Sequence, residues 1–133
     1  MKEQLRDNQR CYVCGTKNPV GLGVLFHIDA QERTISAQFT PSPEHQGFEG
    51  IVHGGVLSAL LDEAMAKLAF SLGLPAVTAE LSVKFKSPVA PNEQLVVSGR
   101  LIRETKRLIH AEARIERGPQ IIAEATGKLL RIG

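Results

Sequence analysis

A histidine, two glycines and an acid nine residues past the histidine are the parts of this chain best suited to chemistry. His53-Gly54-Gly55 runs through Val56-Leu57-Ser58-Ala59-Leu60-Leu61 into Asp62-Glu63. The apolar spacing after Gly55 is helical. Glycines at a helix start leave bare backbone N–H groups at the positive end of the helix dipole, which suits an oxygen that gains negative charge. A carboxylate on a helix built for burial is costly unless it is paired or used. One helix therefore offers both an electrophile-stabilising site and a base.

The two acids face different ways. Gly55, Ala59, Asp62, Ala66, Ala69 and Gly73 fall on one face by steps of three and four, and that face carries only small side chains around one acid. Glu63 shares its stripe with Val56, Leu60, Lys67 and Phe70, and Lys67, four residues on, is placed to pair with it. Asp62 has no such partner within the helix, so it is the acid left for chemistry.

The elements that must position these groups follow from periodicity. Val56, Leu57, Leu60, Leu61, Ala64, Met65 and Leu68 predict a helix of about five turns, stopped at Gly73 with Pro75 just beyond. It is apolar on most faces and so belongs at the centre. Before it, 24–29 and 34–40 read as strands, and 41–50 as a loop punctuated by Pro41, Pro43, Gly47 and Gly50. After it the period becomes two. Val77, Ala79, Leu81, Val83 and Phe85 should face one way, and Thr78, Glu80, Ser82, Lys84 and Lys86 the other. Further strands are expected over 95–104, 108–116 and 121–131. Strands grouped around one long helix predict an α+β fold, a curved antiparallel sheet wrapped around the helix. The whole of 1–133 reads as a single domain, with 1–22 as an approach segment whose first ten residues form a short polar helix or fray.

Composition narrows the function. Sixteen basic and 14 acidic residues give a net charge of +2, without the basic excess that nucleic-acid binding needs. Aromatics are 5% with no Trp, which leaves no base-stacking platform. The polar N-terminus has no apolar signal region and no run reaches membrane-spanning length, so a soluble cytoplasmic protein is expected, with neither a membrane nor a nucleic-acid partner. Cys11 and Cys14 form a single C-x-x-C, too few ligands for a four-ligand zinc site. They are expected to act as small packing residues, with no metal bound.

The chain resembles the hotdog-fold acyl-CoA thioesterases, in particular the branch related to the phenylacetate-pathway thioesterases. The resemblance rests on Gly50-Ile51-Val52-His53-Gly54-Gly55 and Leu61-Asp62-Glu63-Ala64-Met65. It is supported by Cys11-Tyr12-Val13-Cys14-Gly15 with Asn18-Pro19, by Lys84-Phe85-Lys86-Ser87-Pro88, and by Ala125-Thr126-Gly127-Lys128. It implies hydrolysis of a thioester, usually of coenzyme A, in a cleft between subunits of a homodimer or homotetramer, with no cofactor. It also implies that Asp62 serves as general base or nucleophile and the Gly54 N–H as oxyanion donor. Relatives carry an Asn or Gln about six residues before the His. Here that position is Gly47, and Gln46 lies one residue earlier, so Gln46 is the third catalytic candidate. Thr78 lies where some relatives hold the water with a Ser or Thr, and His53 is expected to fix the turn. His53, Gly55, Glu63, Thr78, Lys84 and Lys86 complete the candidate substrate side, the lysines for the phosphates of coenzyme A. The rival readings are an acyl-CoA binding or sensing domain without turnover, and a hydratase or dehydratase of the same fold.

Overall fold

The structure, a computed structural model, describes residues 5–132. Six strands and one long helix follow in the order β1 (His27–Asp29), β2 (Thr34–Phe39), α1 (Gly54–Ser71), β3 (Ala76–Phe85), β4 (Leu95–Glu104), β5 (Leu108–Arg117) and β6 (Gln120–Arg131), with a single 3-10 turn at Pro43–His45. All strands join one antiparallel sheet in the order β1-β2-β4-β5-β6-β3. This is the hotdog arrangement, a curved sheet wrapped around a central helix. The part of the expected N-terminal helix that lies within the described residues is not helical, and residues 1–4 lie outside them.

The helix forms because its apolar positions are buried by the sheet. Leu60, Leu61, Ala64, Met65 and Leu68 have no exposed surface and pack with Ile35, Val97, Ala111, Ile115 and Ile122 from the strands. Each large side chain removed from water this way contributes roughly 1.5–3 kcal/mol. The helix ends where the residue pattern says it should. Gly73, at φ 77°, takes the left-handed conformation. Its N–H donates to Phe70 O at 3.1 Å, and Leu74 N–H donates to Ala69 O at 2.9 Å, which satisfies carbonyls the helix would otherwise leave open.

Two features of β3 position the site. It is an edge strand, hydrogen-bonded to β6 on one side and open on the other. Its register with β6 also slips between Thr78 and Glu80, a bulge with Ala79 as the extra residue. A bulge re-aims the side chains on either side of it. Strict alternation places Thr78 with Glu80, Ser82, Lys84 and Lys86; the bulge instead turns Thr78 inward onto α1. Among the described residues, no helix is long and apolar enough to cross a membrane.

Candidate active site

The loop before α1 is pinned by its own backbone. His53 N–H donates to His45 O at 2.8 Å, Val52 N–H to Val89 O at 2.8 Å, and Gly47 N–H to Ile51 O at 2.9 Å. Gln46 is held inside this loop. Its Nε2 donates to Pro43 O at 2.8 Å, and its Oε1 accepts from Gly50 N–H at 2.5 Å. The amide thus shapes the loop with both of its ends.

His53 caps α1. Its Nδ1 accepts from Gly55 N–H at 2.8 Å, so the ring satisfies one of the four N–H groups that a helix start leaves open. A side chain on Gly55 would meet that ring at 2.9 Å. The cap separates the two glycines chemically: the Gly55 N–H is occupied, whereas the Gly54 N–H has no acceptor among the described residues. Gly54 faces the ring of Phe85, whose edge lies 3.5 Å from where a Gly54 Cβ would be. Phe85 is half-exposed, an apolar lid beside a free backbone donor.

Asp62 lies on the same helix, partly buried, and its Oδ1 accepts from Thr78 Oγ1 at 2.6 Å. Its second oxygen has no protein donor among the described residues. A part-buried carboxylate with one oxygen anchored and one free is what a general base requires.

Glu63 meets different neighbours from those its helix stripe predicts. The pairing with Lys67 does not form. Glu63 Oε2 instead accepts from the thiols of Cys11, at 2.9 Å, and Cys14, at 2.7 Å, and Lys67 Nζ reaches Cys14 Sγ at 3.5 Å. The reason is tertiary: the N-terminal loop packs on that stripe and brings sulfur partners that no spacing within the helix reveals. Burial, and then the Glu63 carboxylate, push the Cys14 thiol up to about 12.

The two lysines stay on the outer face of the sheet. Lys86 pairs with Glu124 at 3.1 Å. Lys84 borders a trough of about 880 Å³ that crosses the sheet between residues such as Ser36, Arg100, Arg114 and Thr126. Neither Gly54 nor Asp62 lines that trough. The structure thus brings Asp62 and Thr78 together and leaves Gly54 open at the helix start. Gln46 is committed to its loop and Glu63 to the cysteines. Phe85 is the site neighbour that sequence reasoning missed; its inward position in the alternation of β3 was the available signal.

A central helix in a curved antiparallel sheet defines the hotdog class of folds. Residues 49–123 match the Thioesterase superfamily, and the chain belongs to that family. It is similar to the acyl-coenzyme A thioesterase THEM5 of Mus musculus, at 29% identity over 111 residues, 82% of this chain and 44% of that protein. It thus spans less than half the length of that relative. It is also similar to acyl-coenzyme A thioesterase 13 of Homo sapiens, at 25% over 114 residues, 84% of this chain and 77% of that one. Among solved structures, the PaaI protein of the E. coli phenylacetic acid degradation operon superposes with a TM-score of 0.77 at 25% identity, covering 84% of this chain and 81% of that chain.

Proposed function

We propose that this chain hydrolyses acyl-coenzyme A thioesters to the free acid and coenzyme A. The observation that carries the reading is the presence on α1 of an unshared N–H at Gly54 and a carboxylate at Asp62 with one free oxygen. The Gly54 N–H and the helix dipole hold the thioester oxygen as it becomes an oxyanion. Asp62 takes a proton from the attacking water through its free oxygen. The tetrahedral intermediate then expels the coenzyme A thiolate, which receives that proton. The bond from Thr78 anchors one oxygen and orients the carboxylate, which supports Asp62 as general base or as direct nucleophile. Gln46 contributes by shaping the loop, and His53 by fixing the turn. Lys84, which has no ion-pair partner among the described residues, is the better candidate of the two lysines for a coenzyme A phosphate.

Gly54 and Asp62 are eight residues apart, which is about 12 Å of helix axis. Reacting atoms must meet at about 3–3.5 Å. Both groups therefore act on one thioester most readily when they come from different copies of the chain. The open edge of β3 supplies the route. Two-fold pairing along that edge sets the two α1 helices antiparallel, so the start of one runs toward Asp62 of the other. Exposed Val77 and Phe85 on β3 provide apolar surface for such a contact and for an acyl group. The active unit is then a homodimer, or a homotetramer built from two. The two free thiols of each chain suit the reducing cytoplasm.

The test is release of free coenzyme A thiol from short-chain, medium-chain, long-chain and aromatic acyl-CoAs. Turnover on at least one class, lost in Asp62→Asn while acyl-CoA binding persists, is the expected result. Binding without thiol release by the unmodified chain would make it a binding domain and overturn the hydrolytic reading. Hydration of an enoyl thioester without thiol release would do the same in favour of a hydratase.

A further inference from the structure

Outside the thioester chemistry, three metal-ligating atoms converge on the neighbouring stripe of α1, that of Glu63. Cys11 Sγ, Cys14 Sγ and a Glu63 carboxylate oxygen all lie within 4.8 Å of one another, each on a part-buried residue. The convergence is built by the backbone. Cys11-Tyr12-Val13-Cys14-Gly15 folds into a tight turn in which Gly15 N–H donates to Cys11 O at 2.9 Å. A Cβ on Gly15 would lie 2.4 Å from Cys11 N and 2.5 Å from Cys11 O, so only glycine permits the turn. The turn puts both sulfurs on one side, and Cys14 N–H points at Cys11 Sγ from 3.5 Å. A backbone N–H directed at sulfur stabilises negative charge there. The returning chain locks the turn through Leu22 N–H to Tyr12 O at 2.7 Å and Val24 N–H to Val13 O at 2.9 Å.

We propose that Cys11, Cys14 and Glu63 form a three-ligand site for a thiophilic divalent cation of the zinc class, with solvent in the fourth position, clipping the N-terminal loop to α1. The donor set is the chemical argument: two soft sulfurs and one carboxylate oxygen suit zinc and exclude calcium or magnesium, which take oxygen ligands. Sulfur and oxygen around a tetrahedral zinc stand about 3.6 Å apart. The present contacts of 2.7 and 2.9 Å therefore open by less than about 1 Å on binding, within the reach of side-chain rotation. Charge closes as well. Two thiolates and a carboxylate carry three negative charges, which the cation and Lys67, at 3.5 Å from Cys14 Sγ, together neutralise. Binding releases the two thiol protons to solvent.

Cobalt(II) is the probe. The reduced, chelator-treated full chain is titrated with it and followed by absorption, and zinc is then added as competitor. The expected result is sulfur-to-cobalt charge transfer with tetrahedral visible bands, saturating at one ion per chain, bleached by zinc, with a higher melting temperature in zinc. Cys14→Ser should abolish the charge-transfer increment of one sulfur, and Glu63→Gln should weaken cobalt binding by at least about tenfold. Circular dichroism checks that each variant is folded. If Cys14→Ser does not fold, the unmodified chain and Glu63→Gln still decide. A folded, reduced chain that takes up cobalt without sulfur charge transfer overturns the proposal. So does charge transfer of unchanged intensity in Cys14→Ser together with unchanged cobalt affinity in Glu63→Gln, or formation of a Cys11–Cys14 disulfide in air despite excess zinc.

Discussion

Asp62 and Glu63 are adjacent on one helix, both partly buried, and the structure surrounds them differently. Asp62 faces an edge strand that offers a single hydroxyl, from Thr78, and leaves one carboxylate oxygen open. Glu63 faces the folded N-terminal loop, which delivers two thiols to the same oxygen. Neighbouring acids one helical step apart thus become a base and an anchor. What separates them is the element covering each face. An edge strand lets a substrate or a second copy approach, whereas a packed loop closes its face off.

The sharpest way to break this comparison is to neutralise each acid in turn. Asp62→Asn should lower kcat for thioester hydrolysis by about 10²- to 10⁴-fold, the range of a general base. Glu63→Gln should lower it by less than about tenfold, its main effect being a lower melting temperature from the lost thiol bonds. Equal losses in a thiol-release assay would erase the distinction between the two faces.

The oxyanion assignment can be sharpened without reshaping the helix. Gly54→Pro removes one N–H at the first helical position, where proline is well accommodated, and His53 already has the extended backbone that precedes proline. The expected loss in kcat is about 10²- to 10³-fold. Gly54→Ala keeps the N–H and should lose far less. Thr78→Val comes next: deleting a hydrogen bond to a carboxylate should reduce kcat about ten- to a hundredfold with the fold retained. The smallest effect belongs to the cap. His53→Ala should cost about 1 kcal/mol of stability, read from the urea midpoint, with a modest drop in kcat as the helix start loosens.

Much of this was legible in the sequence, and what was not has physical causes. The helix starts at Gly54 and stops before Gly73 as the 3.6-residue period, paired glycines and Pro75 require. Strand β4 matches its expected span and β2, β3, β5 and β6 fall close to theirs, because alternation and turn residues are local signals, whereas β1 forms only over His27–Asp29, half of the span expected. The separate orientations of Asp62 and Glu63 follow from helical geometry alone. The bulge in β3 does not: nothing in Val77-Thr78-Ala79-Glu80 announces an unpaired residue, and the slip is defined only by the partner strand. Alternation therefore turns Thr78 to the wrong face, although the resemblance points to it as a site residue. The partner of Glu63 was hidden more deeply. Lys67 is one turn away and Cys11 is 52 residues away in sequence, and only packing of the loop decides between them. Gln46 shows the same limit, since its amide bonds within its own loop rather than across the site.

The central claim is that one thioester is worked on by Gly54 of one chain and Asp62 of another. Mixing two variants tests it most directly. Asp62→Asn and Gly54→Pro are each expected to be nearly inactive alone. They are unfolded together, refolded in equal amounts, and assayed for thiol release. Random pairing yields mixed dimers in which one of the two sites has both an intact Gly54 and an intact Asp62, so turnover should return to about a quarter of the unmodified level. No recovery in mixed dimers shown to have formed would mean that both groups must come from one chain, and would contradict the account.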